Sequence, residues 1–252
     1  MSASSASRQW SALHTLLTED LGAEAALMRP QDGLPDIVFT ANAGLVRGGI
    51  CVPARFRCPE RQGEEPHYEE WFIGSGCQAA PLPPGITFEG AGDALFDLHP
   101  LPLGKPPLLW AASGLRSDVG AHQVLADTFQ AEVVSLRLAD PRFYHLDTCF
   151  CPLPDGYLLW HPAAFDRQSQ AQVARRVPAE RRLAVSEEAA CAFACNAVCV
   201  GRTIVMHTLP AGVHETLTHW LTARSFALRT TPLGEFLKAG GSAKCLTLDV
   251  TR

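Results

Sequence analysis

Residues 236–247 read FLKAGGSAKCLT, and the rest of the chain is organised around them. A short helical turn ending at Lys238 runs into Gly240 and Gly241. Cys245 then heads a terminal apolar run, LTLDV, that reads as a strand. Glycine pairs permit backbone turns barred to other residues and let a ligand come close. A cysteine just past such a turn, with Lys244 beside it, suits a nucleophile with a lowered thiol pKa. On its own such a cysteine is far more often a buried thiol opening a core strand. The partners found upstream decide between the two.

Those partners recur at a regular interval. One polar or nucleophilic residue marks each strand pair: Asn42 in PDIVFTANAG, Asp93 in FEGAGD, Asp147 in YHLD, Asn196 in AFACNAV, and Cys245. The steps between them are 51, 54, 49 and 49 residues. Near-equal steps of about a fifth of the chain predict five similar strand-and-helix units around a centre, an α/β architecture with pseudo-fivefold repeats. A doubly wound α/β sheet is the plainer alternative. Apolar periodicity predicts helices over 8–21, 162–176 and 213–224, and a strand around 25–28. Pro59 marks the start of another helix, and Ser117 or Asp118 caps the one that follows GLRSD. No linker or low-complexity tract divides residues 1–252, which read as one domain.

Composition narrows the function classes. The chain has 252 residues, 47% hydrophobic and 19% charged, with a net charge of −5. The pI near 6.0 and the lack of a basic cluster argue against nucleic acid as a partner. The opening MSASSASRQW has no basic stretch followed by an apolar core, and no apolar run approaches the ~20 residues that span a bilayer. Nine cysteines in apolar settings then read as reduced thiols of a cytoplasmic protein. Cys191, Cys195 and Cys199 are spaced by four, and Cys149 and Cys151 by two. Metal-binding thiolates usually come in CxxC pairs, so these read as scattered core thiols, with no metal expected.

Four further stretches place polar residues on apolar strands: Asp36 to Asn42, Glu89 and Asp93, Arg116 and Asp118, and His145 and Asp147. Two apart on a strand, His145 and Asp147 would share a face. A histidine near a carboxylate is the usual acid/base partner of a thiolate. Several carboxylates, one histidine and one cysteine suit a planar cationic substrate, since carboxylates hold a guanidinium by paired hydrogen bonds. Its central carbon is an electrophile that the cysteine can attack. Arg61 and Arg116 suit the far end of such a substrate, an amino-acid carboxylate.

These motifs, in this order, resemble the guanidino-group-modifying superfamily of five-bladed α/β propellers, the penteins. It includes dimethylarginine dimethylaminohydrolases, arginine deiminases, arginine and succinylarginine dihydrolases and amidinotransferases. The resemblance runs from PDIVFTANAG to GGSAKCLTL. It implies Cys245 as nucleophile, His145 as general acid/base and Glu89 as the supporting carboxylate. Asp36 and Asp147 would hold the guanidinium, with Asn42, Asp93, Arg61 and Arg116 completing the substrate site. The sequence departs from the dimethylargininase pattern in three places. HLD carries an acid after the histidine, as in deiminases and amidinotransferases. EGAGD has one residue more than the common EGGD, with Glu89 taken as the acid nearest the histidine. Asn42 stands where an aspartate is common, which is similar to the arginine dihydrolases. The implied activity is cofactor-free hydrolysis of arginine or N-methylated arginine through a covalent thiouronium, giving citrulline. Hydrolysis on to ornithine, amidinotransfer, and a non-catalytic binding role are the alternatives.

Overall fold

Short apolar runs separated by glycine turns fold into small sheets that are copies of one plan. The structure, a computed structural model, describes residues 2–100 and 104–250. The first sheet holds β1 (Gly44–Arg47), β2 (Ile50–Pro53) and β3 (Gln78–Ala79), and the second β4 (Ala94–Phe96), β5 (Leu108–Ser113) and β6 (Glu132–Arg137). The third holds β7 (Phe150–Leu153), β8 (Tyr157–Trp160) and β9 (Arg182–Ala184), and the fourth β10 (Val198–Val200), β11 (Thr203–His207) and β12 (Ala227–Thr231). In each, the first two strands are antiparallel and the second is parallel to the third.

Chain chemistry explains the plan. Gly48 and Gly49, both at positive φ, close the β1–β2 hairpin, as a two-residue turn of this hand requires. A parallel neighbour needs a crossover, and a helix supplies it in every sheet: Glu65–Gly74, Gly120–Phe129, Arg167–Arg176 and Ala211–Thr222. Pro59 opens the short helix Pro59–Gln62, where its missing N–H is harmless.

The core runs along the seams between sheets. Trp110, Leu136, Phe150, Leu159, Ile204 and Met206 belong to one buried cluster that joins the second, third and fourth sheets. A second cluster, with Leu45, Val52, Phe88, Leu109 and Leu125, joins the first sheet to the second. Each such side chain contributes about 1.5–3 kcal/mol when fully buried. The N-terminal helix Ala3–Thr15 buries Leu13 among Phe39, Val205, Phe236, Cys245 and Leu246.

Several local expectations change. The first helix spans Ala3–Thr15 and widens into a π-turn at Leu16–Asp20. Residues 25–28 form no strand; Gly22 and Gly33 turn the chain at positive φ on either side, and Leu27 stays exposed. The run LTLDV pairs with no strand among the described residues, yet Leu248 packs against both first-sheet clusters. Val119, not Ser117 or Asp118, precedes the helix Gly120–Phe129. His145 and Asp147 do not lie on a strand: a 3-10 turn, Leu146–Thr148, separates His145 from β7. Matching 3-10 turns, Thr40–Ala43 and Gly90–Gly92, precede β1 and β4. Asn42, Asp93, Asp147 and Asn196 therefore sit in or just after the turns that enter the four first strands, whereas the Cys245 turn leads into no strand among the described residues. No described helix is long and apolar enough to cross a membrane.

Candidate active site

The turn that carries Cys245 is fixed by close backbone approach. Gly240 has φ +83, and its carbonyl accepts a 2.6 Å hydrogen bond from the Tyr144 hydroxyl. A Cβ on Gly241 would lie 2.3 Å from the Phe39 ring. The Cys245 carbonyl accepts from Ala41 N–H at 3.1 Å, and its N–H donates to Asn196 Oδ1 at 3.2 Å. Asn196 Nδ2 donates to the sulfur at 3.0 Å and to the Asp147 carbonyl at 3.1 Å. The thiol in turn donates to Asp147 Oδ2 at 3.4 Å. Burial first, then the Asp147 charge, push the thiol well above its ordinary range. The expectation of a thiol lowered by Lys244 is thus reversed: a fully buried sulfur beside a carboxylate stays protonated. Burial also pushes the Asp147 carboxyl up, against His145 and Lys244. Its Oδ1 is buried and takes no hydrogen bond from the described residues.

His145 lies one turn away on the same loop. Its Nε2 is 2.7 Å from Glu89 Oε2, both side chains being buried. Burial pushes the imidazole down, but Asp93, Glu89 and Asp147 outweigh it and hold it above its ordinary value. Burial likewise raises Glu89, and His145, Arg116 and Arg61 overcome it, so the carboxyl stays below the usual range. Glu89 Oε1 accepts from the Arg57 N–H at 3.3 Å. Asp93, expected in the substrate site, has both oxygens engaged by the protein: Oδ2 with the Ser117 hydroxyl at 2.6 Å and Oδ1 with Leu146 N–H at 3.1 Å.

A third group meets these two. Arg61 is buried, and Glu64 grips its Nε and Nη2 at 3.0 and 2.7 Å. Removing one partner of a buried pair like this costs about 3–5 kcal/mol. Arg61 Nη1 donates to Asn42 Oδ1 at 2.8 Å and Nη2 to the Asp36 carbonyl at 3.1 Å, which leaves one Nη1 hydrogen. Asn42 Nδ2 donates to the Glu89 carbonyl at 3.3 Å. The half-buried Asp36 enters through its carbonyl, and its carboxylate takes no hydrogen bond from the described residues. Arg116 lies over the Tyr144 ring, 5.0 Å from its centroid. Its Nη1 is 3.0 Å from Cys58 Sγ and 3.6 Å from Glu89 Oε2. The whole assembly is a buried thiol, an imidazole held above its ordinary pKa and an excess of carboxylates, a setting that suits a bound cation.

No protein-family model matches the sequence. Among curated proteins, the chain is 38% identical over 245 residues to N(G),N(G)-dimethylarginine dimethylaminohydrolase of Mycobacterium tuberculosis, covering 97% of this chain and 76% of that one. The chain belongs to the guanidino-group-modifying superfamily, the penteins. This pentein is also 50% identical over 243 residues, 96% of its length, to the bifunctional arginine dihydrolase/ornithine cyclodeaminase AgrE of Nostoc sp.. It spans 33% of the length of AgrE and likewise of its counterpart ArgZ of Synechocystis sp.. The crystal structure of the N-terminal domain of ArgZ, an arginine dihydrolase, bound to substrate, has a TM-score of 0.92 to this pentein at 49% identity, over 100% of this chain and 88% of that one. A variant of that domain has been crystallised covalently bonded to a reaction intermediate.

The polar network of the site has two parts: Asn42, Arg61, Glu89, Asp93, Arg116 and His145, with Asp36 by its carbonyl alone, form one, and Cys245 and Asp147 form the other, joined to it through the loop His145 to Asp147. Sequence reasoning passed over four of its members. Asn196 is visible as a periodic marker, yet its contact with Cys245 is not legible in the sequence: it clasps the thiol. Ser117 reads as a helix cap and instead bonds Asp93. Glu64 and the Arg57 backbone carry no sequence signal. Of the scattered cysteines, Cys149, Cys151 and Cys195 are buried, Cys199 is half-buried and Cys191 is exposed.

Proposed function

We propose that this chain hydrolyses the guanidino group of arginine through a covalent adduct on Cys245, and does so twice, giving ornithine. The observation that carries the reading is the unpartnered, buried Asp147 Oδ1 beside the Cys245 thiol, an acceptor aimed where a guanidinium N–H would bind. A bound cation also offsets the Asp147 charge that keeps the thiol protonated, so binding and activation are coupled. Asp36 would hold the guanidinium with Asp147. Arg116 and the remaining Arg61 Nη1 hydrogen would take the substrate carboxylate. With the cation bound the thiol releases its proton to solvent. The thiolate adds to the guanidinium carbon, and His145, kept protonated by its carboxylate neighbours, gives its proton to the departing ammonia, which leaves a thiouronium cation and a neutral imidazole. Water deprotonated by the neutral His145 then displaces the sulfur, leaving citrulline and regenerating the thiol.

The second hydrolysis rests on Asn42. Beyond its bonds to Arg61 and the Glu89 carbonyl the Asn42 amide keeps one N–H and one lone pair, so it tolerates a ureido group better than an aspartate would, and a mismatched buried polar group costs about 1–3 kcal/mol. Likeness to arginine dihydrolases supports it. The dimethylargininase relative favours a second reading, release of one amine and a stop at citrulline. Counting ammonia per arginine consumed tests both, with no acceptor amine present. Two ammonia with ornithine is the expected result. One, with citrulline accumulating, sinks the second hydrolysis. None, or turnover that needs an acceptor amine, sinks hydrolysis altogether in favour of binding or amidinotransfer. Cys245→Ser should abolish turnover. No metal or cofactor enters the chemistry.

We also infer that the repeated sheets close into a five-bladed propeller, the fifth blade being built from the two chain ends around Cys245, with residues 1–252 acting as one domain. The small guanidino substrate is the only partner the reading requires. Nine free thiols suit a reducing compartment such as the cytoplasm.

A further inference from the structure

The Glu89–His145 pair closes a ring of hydrogen bonds that runs through two residues given no part in the chemistry above. From Glu89 the ring leaves by the backbone: its N–H donates to Ser117 Oγ at 2.9 Å. The Ser117 hydroxyl donates onward to Asp93 Oδ2 at 2.6 Å. Asp93 Oδ1 accepts from the N–H of Leu146 at 3.1 Å, and Leu146 follows His145, whose Nε2 returns to Glu89 Oε2 at 2.7 Å. Three segments far apart in the chain meet here, and each of the four side chains is at most 3% exposed. Between Glu89 and Asp93 the chain turns against the neighbouring loop that carries Ala41 and Gly44. Gly90 takes φ +62, and a Cβ there would lie 2.7 Å from three backbone atoms of Ala41 and Gly44.

We infer that Asp93 and Ser117 are positioning residues for the histidine: Ser117 ties the Glu89 backbone to Asp93, and Asp93 holds the His145 loop and, when ionised, places a negative charge near the imidazole. Asp93 therefore does not contact substrate. The inference rests on the reading of His145 as the acid/base.

The charges around the ring agree with the geometry. The groups facing His145 are Glu89, Asp93 and Asp147, with Tyr144 edge-on to its ring and Arg116 and Arg61 acting through Glu89. Among the charges that raise the imidazole, Asp93 stands first. Burial pushes the Asp93 carboxyl itself up to about 6, so above that pH it is an anion.

Two near-isosteric variants separate the two roles. Asp93→Asn keeps the shape and the acceptor for Leu146, and Ser117 can turn to accept from the new amide, but the charge is gone. Ser117→Ala keeps the charge and breaks the link. The His145 titration is read by NMR in both variants without substrate, together with kcat, KM and the pH profile for arginine. In Asp93→Asn the His145 pKa and the alkaline limb of kcat/KM should both fall, by about 1 unit, the low end for loss of a near charge. Its KM should stay within about twofold, because no substrate contact is lost. In Ser117→Ala kcat should drop roughly 10- to 100-fold through misplacement, with the His145 pKa moved less than in Asp93→Asn. A KM raised tenfold or more in Asp93→Asn with an unmoved histidine would make Asp93 a substrate ligand and overturn the inference. So would a Ser117→Ala enzyme with wild-type kcat. If the wild-type protein turns over no guanidino compound, the functional reading fails, while the His145 titration still tests the ring.

Discussion

At the scale of single residues, the thiol of Cys245 is the group whose state governs the rest. It is buried, clasped by Asn196 and set against the Asp147 carboxylate, and burial followed by that charge keeps it protonated at neutral pH. Alkylation by iodoacetamide requires the thiolate. The rate at Cys245 should therefore be slow at pH 7 and climb about tenfold per pH unit without a plateau up to the ordinary thiol range. Asp147→Asn removes the neighbouring anion, which lowers the thiol pKa, so alkylation at pH 8 should speed up while arginine turnover collapses. Mass spectrometry of the modified peptide reads the first, and ammonia release the second. A wild-type rate that is already flat by pH 8 would mean a preformed thiolate and would remove Asp147 from its control. Asn196→Ala leaves the Cys245 N–H without its acceptor and should destabilise the protein by about 1–3 kcal/mol, measured by urea unfolding.

At the scale of elements, the site is made by tight turns and not by the strands they introduce. In the turn Gly90–Gly92 a Cβ on Gly92 would lie 2.2 Å from Asn42 Nδ2 and 3.4 Å from His145 Cγ. Gly92→Ala should therefore push Asn42 off both its partners. We expect about 1–3 kcal/mol of destabilisation, the usual range for overpacking, and at least a tenfold loss of kcat/KM. Gly212 gives the contrast: it is exposed in the helix Ala211–Thr222 with open space around it. Gly212→Ala should raise the melting temperature, by about 0.5–1 kcal/mol of helix stabilisation, and leave turnover alone. Equal activity in the two variants would show that the turn tolerates a side chain and that Asn42 needs no fixed place. The same turns explain a misreading. An extended pair such as His145 and Asp147 alternates like a strand in sequence, and only the hydrogen bonds from Thr148 and Cys149 N–H back into the loop make it a turn.

At the scale of the whole molecule, the N-terminal helix and the Cys245 turn share one apolar cluster although they stand at opposite ends of the chain. Leu13→Ala should lower unfolding stability by about 2–5 kcal/mol, as a buried leucine cavity does. Since Leu13 shares the apolar cluster that holds Cys245 and Leu246, kcat for arginine should fall with it. A stability loss with unchanged kcat would make the helix a brace alone.

Several features of this protein were set by the sequence alone. The near-equal spacing of Asn42, Asp93, Asp147 and Asn196 carries the repeated plan of the four sheets, because each enters its first strand through a similar turn, and Cys245 falls one step further along. Alternating apolar runs and glycine pairs carry the hairpins, and residue chemistry carries the nucleophile, the histidine and the acids. Local pattern reaches only a few residues along the chain. Partners 25 to 100 residues away are chosen by how the turns converge, and those choices were left to the tertiary structure. It decided that Glu89 and not Asp93 meets His145, that Ser117 bonds a carboxylate and caps no helix, and that Arg61 is gripped by Glu64. It also decided that the thiol is raised and not lowered: burial and the Asp147 charge set its state, and neither can be read from the order of residues.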